Sequence, residues 1–200
     1  MKHLPIALIF LRLFLGISVL LLSIIAPADF QLLIICLIII GFVTDILDGI
    51  IARRLNISTL VLRRWDSAVD QVFWVCAFIT AYLISPDFFK NNISKFVIVL
   101  ALEAATYLVC FLRFKKEVAT HSILSKFWVI SMLAVLLQVI YSGGSHSSLY
   151  ICFYLGIISR LEIIAILIIL RNWTSDVPTA YHALQLRKGK EIKRHKLFNG

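Results

Sequence analysis

The sequence predicts an all-α membrane protein with six transmembrane helices and both termini in the cytoplasm. Three observations carry this. The chain is 60% hydrophobic and only 16% charged, whereas a soluble domain is nearer half apolar and a quarter charged. Its apolar residues fall into six long runs, each of the length that crosses a hydrocarbon core of about 30 Å. Most of its 20 Lys and Arg residues gather in alternate connectors and in the tail.

The runs cover residues 4–25, 30–52, 60–84, 93–112, 124–141 and 149–170. Continuous apolar runs of this length are helical, because a lone strand would leave its backbone unpaired in lipid. The first run is followed by Ala26-Pro27-Ala28, which looks like a signal-peptide cleavage site. The run is too long for a signal core and contains Arg12, so it is read as a retained span. The connectors 26–29, 85–92 and 142–148 are short and poor in Lys and Arg. The other two connectors carry Arg53, Arg54, Arg63 and Arg64, then Arg113, Lys115, Lys116 and Lys126. This is the positive-inside pattern. Residues 1–171 therefore form the membrane domain. Residues 172–200 form a basic cytoplasmic tail, with a surface helix expected around 181–186.

The net charge of +9 follows from this topology and from attraction to anionic lipid, so no nucleic-acid partner is expected. Cys36, Cys76, Cys110 and Cys152 lie far apart inside apolar runs. They read as packing residues rather than as a disulfide or metal set.

The informative residues are acids. Asp45, Asp48, Asp66 and Asp70 fall on two consecutive spans, and a carboxylate at mid-bilayer costs about 2.5–3.5 kcal/mol on insertion scales. Asp45 and Asp48 are three residues apart and share a face of the second helix; Asp66 and Asp70, four apart, share a face of the third. A cytoplasmic loop joins these antiparallel helices. Both pairs therefore lie at one depth, roughly 8–15 Å inside the cytoplasmic end. Four close carboxylates cannot all stay ionised unaided. Hard divalent cations, Mg²⁺ or Mn²⁺, would neutralise them, and two such ions would suit phosphoryl transfer. Gly49 and Ala52 leave the helix face beside the acids nearly bare, and Gly41 eases close helix packing. Arg53 can grip a phosphate bidentately. Thr59 and Ser58 offer hydroxyls near the start of the third helix, where N–H groups favour anions.

The order Asp45-x-x-Asp48-Gly49-x-x-Ala52-Arg53, then Asp66-x-x-x-Asp70, resembles the signature of the CDP-alcohol phosphatidyltransferases. The family pattern has a Gly where this chain carries Leu62. A bulky residue there is expected to alter helix packing near the nucleotide. The opening Leu4-Pro5…Arg12 is similar to that of phosphatidylglycerophosphate synthases, and Ser125-Lys126 resembles a family Gly-Lys ahead of the fifth span.

The resemblance implies transfer of a phosphatidyl group from CDP-diacylglycerol to a small polar alcohol, with release of CMP. It implies that Asp45, Asp48 and Asp66 hold metal and that Asp70 acts as base, ligand or both. Gly49, Ala52, Arg53 and Thr59 would meet the nucleotide donor. Arg64, Arg113 and Lys126 are candidates for a phosphate on the acceptor, with membrane anchoring as the other reading. Glycerol 3-phosphate is the first acceptor to test. Serine fits less well because Gln71-Val72-Phe73 follows Asp70; inositol phosphate stays open. The resemblance further implies a homodimer in a bacterial inner membrane with its site facing the cytoplasm.

Two other functions are compatible with intramembrane acids: a cation-coupled transporter, and a catalytically impaired relative acting as a scaffold, motivated by Leu62. Glu103 and Arg160 stand near the middle of their spans, where an unpaired charge is costly. They read as an ion pair or as part of the acceptor pocket.

Overall fold

In a computed structural model, residues 4–54, 60–116, 118, 122–190 and 192 are described; most of them are helical and none is in a strand. The helices are α1 (Leu4–Ile25), α2 (Gln31–Arg54), α3 (Leu60–Ile84), α4 (Pro86–Asn91), α5 (Ile93–Phe114), α6 (Ile123–Ser142), α7 (His146–Ile169) and α8 (Ala180–Arg187). Among the described residues, six helices (α1, α2, α3, α5, α6 and α7) are long and apolar enough to cross a membrane. This is the fold class the hydropathy predicts. Large apolar side chains face outward, with Phe14 66% and Leu112 72% exposed. Such an apolar exterior suits lipid rather than water.

Two elements differ from the sequence reading. The segment read as a plain connector at 85–92 contains α4, with Pro86 opening it, Asp87 in its first turn and Lys90 in its last. Proline presets φ at a first helical position, and the charges oppose the helix dipole in the favourable sense. The last span begins at His146 after an extended Ser145, three residues ahead of the apolar run. Its polar first turn hides it from a hydropathy scan. The surface helix expected around 181–186 is α8, capped by the Thr179 side chain, which accepts from the His182 N–H.

The chain divides into two compact units, one of residues 1–91 with 136–144 and the other of residues 92–135 with 145–200. In the first, α1 packs along both α2 and α3, which touch each other far less. Phe73 of α3 is fully buried and fills the space left by two glycines. A Cβ added at Gly16 of α1 would lie 3.1 Å from the Phe73 Cα, and one at Gly41 of α2 would overlap the Phe73 ring. Small residues thus let three helices meet around one aromatic ring, as close packing in lipid requires. Ser23 of α1 and Thr80 of α3 add a buried hydroxyl contact at 3.3 Å. At the start of α2, Gln31 donates to the carbonyls of Ile140 and Tyr141 at 2.6 and 3.1 Å.

This packing gives a stability prediction. Gly41→Ala forces the Phe73 ring aside and lowers stability by about 1–3 kcal/mol, the usual range for overpacking. Thermal unfolding in detergent checks it, and Gly41→Ala combined with Phe73→Leu should recover part of the loss. An unchanged melting temperature for the single variant would refute the account.

In the second unit, α5 and α7 pack together through Cys110, Ile163 and Leu167. Residues beyond α7 fold back on it, with Val177 and Ala183 buried against Ile166 and Leu170. Glu103 of α5 and Arg160 of α7 form an ion pair, as the cost of isolated charge in a span demands. The Arg160 guanidinium also lies 4.3 Å from the centre of the Trp128 ring. Gly156 makes room for that ring, since a Cβ there would come within 2.8 Å of Trp128 Nε1.

Candidate active site

The four acids do meet. Asp45 and Asp48 project from α2, and Asp66 and Asp70 from α3; all four ion-pair with one guanidinium, that of Arg12 on α1. Arg12 Nη1 lies 3.0 Å from Asp45 Oδ1 and 3.1 Å from Asp66 Oδ1. It also contacts Asp70, while Nη2 contacts Asp48. The five residues meet because Arg12 lies about two turns after the start of α1, Asp45 and Asp48 about two turns before the end of α2, and Asp66 and Asp70 about two to three turns after the start of α3. The arrangement depends on α1 lying against both acid-bearing helices.

Burial is uneven within the cluster. Arg12 is fully buried and Asp48 is 3% exposed, whereas Asp45, Asp66 and Asp70 are 33%, 33% and 27% exposed. The cluster therefore has a sealed floor and an open flank. One guanidinium carries a single positive charge against four carboxylates, which leaves a local excess of negative charge. In a medium less polar than water that excess is costly, and a bound cation would relieve it.

Metal ligation fits the geometry. One carboxylate oxygen from each of Asp45, Asp48 and Asp66 lies within 4.8 Å of the others. Ligand oxygens around a six-coordinate Mg²⁺ at about 2.1 Å stand about 3–4 Å apart, so small side-chain rotations would complete a three-carboxylate set. Asp70 stands beside this group and contacts Arg12.

The other candidates spread over both units. Gly49 is half-buried on α2 directly after Asp48, and Leu62 is half-buried on α3, one turn before Asp66. Arg64 is exposed on α3. Ala52 and Arg53 are described only as residues of α2, and Thr59 and Ser58 lie outside the described residues. In the second unit, Arg113 donates from Nη2 to the Leu170 carbonyl at 2.9 Å, where a cation also favours the C-terminus of α7. Lys126 is half-buried near the start of α6.

Arg12 is the residue that sequence reasoning underused. It served only to argue against a signal peptide and to mark a family-like opening. A lone cation deep in an apolar span needs a partner, and the nearest intramembrane anions in the sequence are these four acids. Hydropathy alone signals that Arg12 needs an anionic partner; helix packing sets which acids it meets.

Six helices long and apolar enough to cross a membrane, with a carboxylate cluster that could hold a metal ion, define a class among the described residues: integral multi-pass membrane proteins with an acidic site inside their spans. The chain belongs to the CDP-alcohol phosphatidyltransferase family, whose sequence profile matches residues 2–173. Members transfer a phosphatidyl group between a CDP-alcohol donor and an alcohol acceptor in the membrane, and they use divalent metal ions. Comparisons with curated proteins and with solved structures gave no match.

Proposed function

We propose that this chain transfers the phosphatidyl group of CDP-diacylglycerol to a small polar alcohol, with glycerol 3-phosphate as the first acceptor, and releases CMP. The observation that carries the reading is the gathering of Asp45, Asp48, Asp66 and Asp70 on two spanning helices of a family member. Asp45, Asp48 and Asp66 would hold Mg²⁺ or Mn²⁺, with two ions expected. Bound there, the metal would offset negative charge developing on the leaving CMP phosphate.

The chain's own residues do the rest. Gly49 and Ala52 keep the α2 face low enough for the nucleotide to lie against the backbone. Arg53 and Thr59 hold donor phosphate oxygens. Asp70 takes the proton of the acceptor hydroxyl as its oxygen attacks the diacylglycerol-linked phosphorus. The bond from that phosphorus to the CMP oxygen breaks, and CMP leaves. The position of Asp70 beside the three-carboxylate group supports this division of labour. Arg64, on the same helix as Asp66 and Asp70, receives the acceptor's phosphate. The protein works as a homodimer in a bacterial inner membrane, its site and basic tail on the cytoplasmic side. A site half-sunk from that side suits a donor whose tails stay in the bilayer while its nucleotide reaches water.

The test is an acceptor screen with purified protein, CDP-diacylglycerol and Mg²⁺ or Mn²⁺, reading CMP release. Glycerol 3-phosphate is expected to give the fastest release. Release with another alcohol would keep the reaction and change the acceptor. No CMP with any acceptor would overturn the reading in favour of a scaffold, or of a transporter if cation flux then appears in proteoliposomes.

A further inference from the structure

Arg12 has no part in the proposed transfer, yet it is fully buried and touches all four acids. It comes from a third helix, α1, which packs against both helices that carry the acids. Its guanidinium contacts Asp45, Asp48 and Asp66, the same three residues whose carboxylate oxygens lie within 4.8 Å of one another. A planar fork with five donors is the side chain best suited to several carboxylates at once.

We infer that Arg12 is a built-in counter-ion that competes with divalent metal for the same carboxylates. It positions the acids in the metal-free protein and sets how tightly metal binds. This rests on the metal reading above.

The argument is electrostatic. Without any cation, four carboxylates gathered below the membrane surface would repel one another and drive α2 and α3 apart. Arg12 supplies one positive charge and a hydrogen-bonding hub, so the helices can assemble before metal arrives. A divalent ion entering between Asp45, Asp48 and Asp66 meets that positive charge at close range. Like charges a few ångström apart in a partly buried site repel strongly. The guanidinium must therefore withdraw from at least some of these oxygens, keeping those the metal leaves free. Metal affinity becomes the difference between two competing cations. The site is held ready without metal at the expense of binding it less tightly.

The experiment measures Mn²⁺ binding by electron paramagnetic resonance, and thermal unfolding with and without Mn²⁺, for wild type, Arg12→Gln and Arg12→Lys in detergent. Arg12→Gln is expected to bind Mn²⁺ at least about tenfold more tightly. Its metal-free melting temperature is expected to fall by on the order of 10 °C, with saturating Mn²⁺ restoring most of the loss. Arg12→Lys keeps the charge but not the fork, so its Mn²⁺ affinity should stay near wild type while its metal-free stability drops. A purely structural Arg12 would lower stability in both variants without tightening Mn²⁺ binding, and that result overturns the inference. If Arg12→Gln folds only when prepared with Mn²⁺, the counter-ion role is supported. If it folds under neither condition, metal cannot take the place of the guanidinium among these carboxylates and the inference is overturned. If no folded variant binds Mn²⁺, wild type included, the metal reading itself fails and this inference with it.

Discussion

Asp45→Asn, Asp48→Asn and Asp66→Asn are each expected to reduce CMP release by on the order of 10³-fold, because each would remove a charged oxygen from the proposed metal-holding set. EDTA is expected to produce the same loss in the wild type, with Mg²⁺ or Mn²⁺ reversing it there but not in the variants at ordinary concentrations. The structure adds a second, opposite effect. Arg12 already faces more carboxylates than one positive charge can balance. Removing the charge of the half-exposed Asp45 leaves Arg12 well partnered and lessens repulsion among the acids. The metal-free Asp45→Asn protein is therefore expected to melt at a higher temperature, by about 0.5–1 kcal/mol of added stability, while it loses activity. Stability gained at the expense of function is the usual sign of a strained active site. Full turnover in metal-free buffer would remove the metal role. A lower metal-free melting temperature for Asp45→Asn would remove the repulsion argument.

Asp70→Asn separates a base from a ligand. As the general base, Asp70 contributes to the transition state alone. Its substitution then lowers kcat and kcat/KM together by about 10²–10⁴-fold and leaves CDP-diacylglycerol binding near wild type. Asp66→Asn should weaken donor and metal binding as well. The measurement is donor affinity beside single-turnover CMP release for the two variants. Matching profiles would make Asp70 one more metal ligand, and rates near wild type for Asp70→Asn would end its catalytic role. Both variants keep contact with Arg12 through the amide oxygen, so loss of folding should not mask the comparison.

Much of this architecture was legible in the sequence because lipid simplifies the rules. A span must be apolar, about 20 residues long and internally hydrogen-bonded, so hydropathy alone located all six membrane helices. It missed α4 and the polar first turn of α7, since short or polar helical segments carry no hydropathy signal. The acids were legible for the same reason in reverse. Asp45, Asp48, Asp66 and Asp70 stand out because carboxylates are expensive in spans, and helical periodicity put each pair on one face. The Glu103–Arg160 pair was foreseen on the cost of isolated charge.

Sequence by itself determined the membrane class, the helices and the acid pairs on α2 and α3, because each follows from local hydropathy and a fixed helical repeat. It could not determine which helix lies between those pairs. That depends on side-chain volumes meeting in three dimensions: Gly16 and Gly41 open space for Phe73, and α1 closes against both α2 and α3. Only this tertiary packing decided that Arg12, far from the acids in the chain, would stand at their centre. The physical reason is that lipid fixes which residues may enter a span, while close packing and charge pairing between helices fix which neighbours they find there.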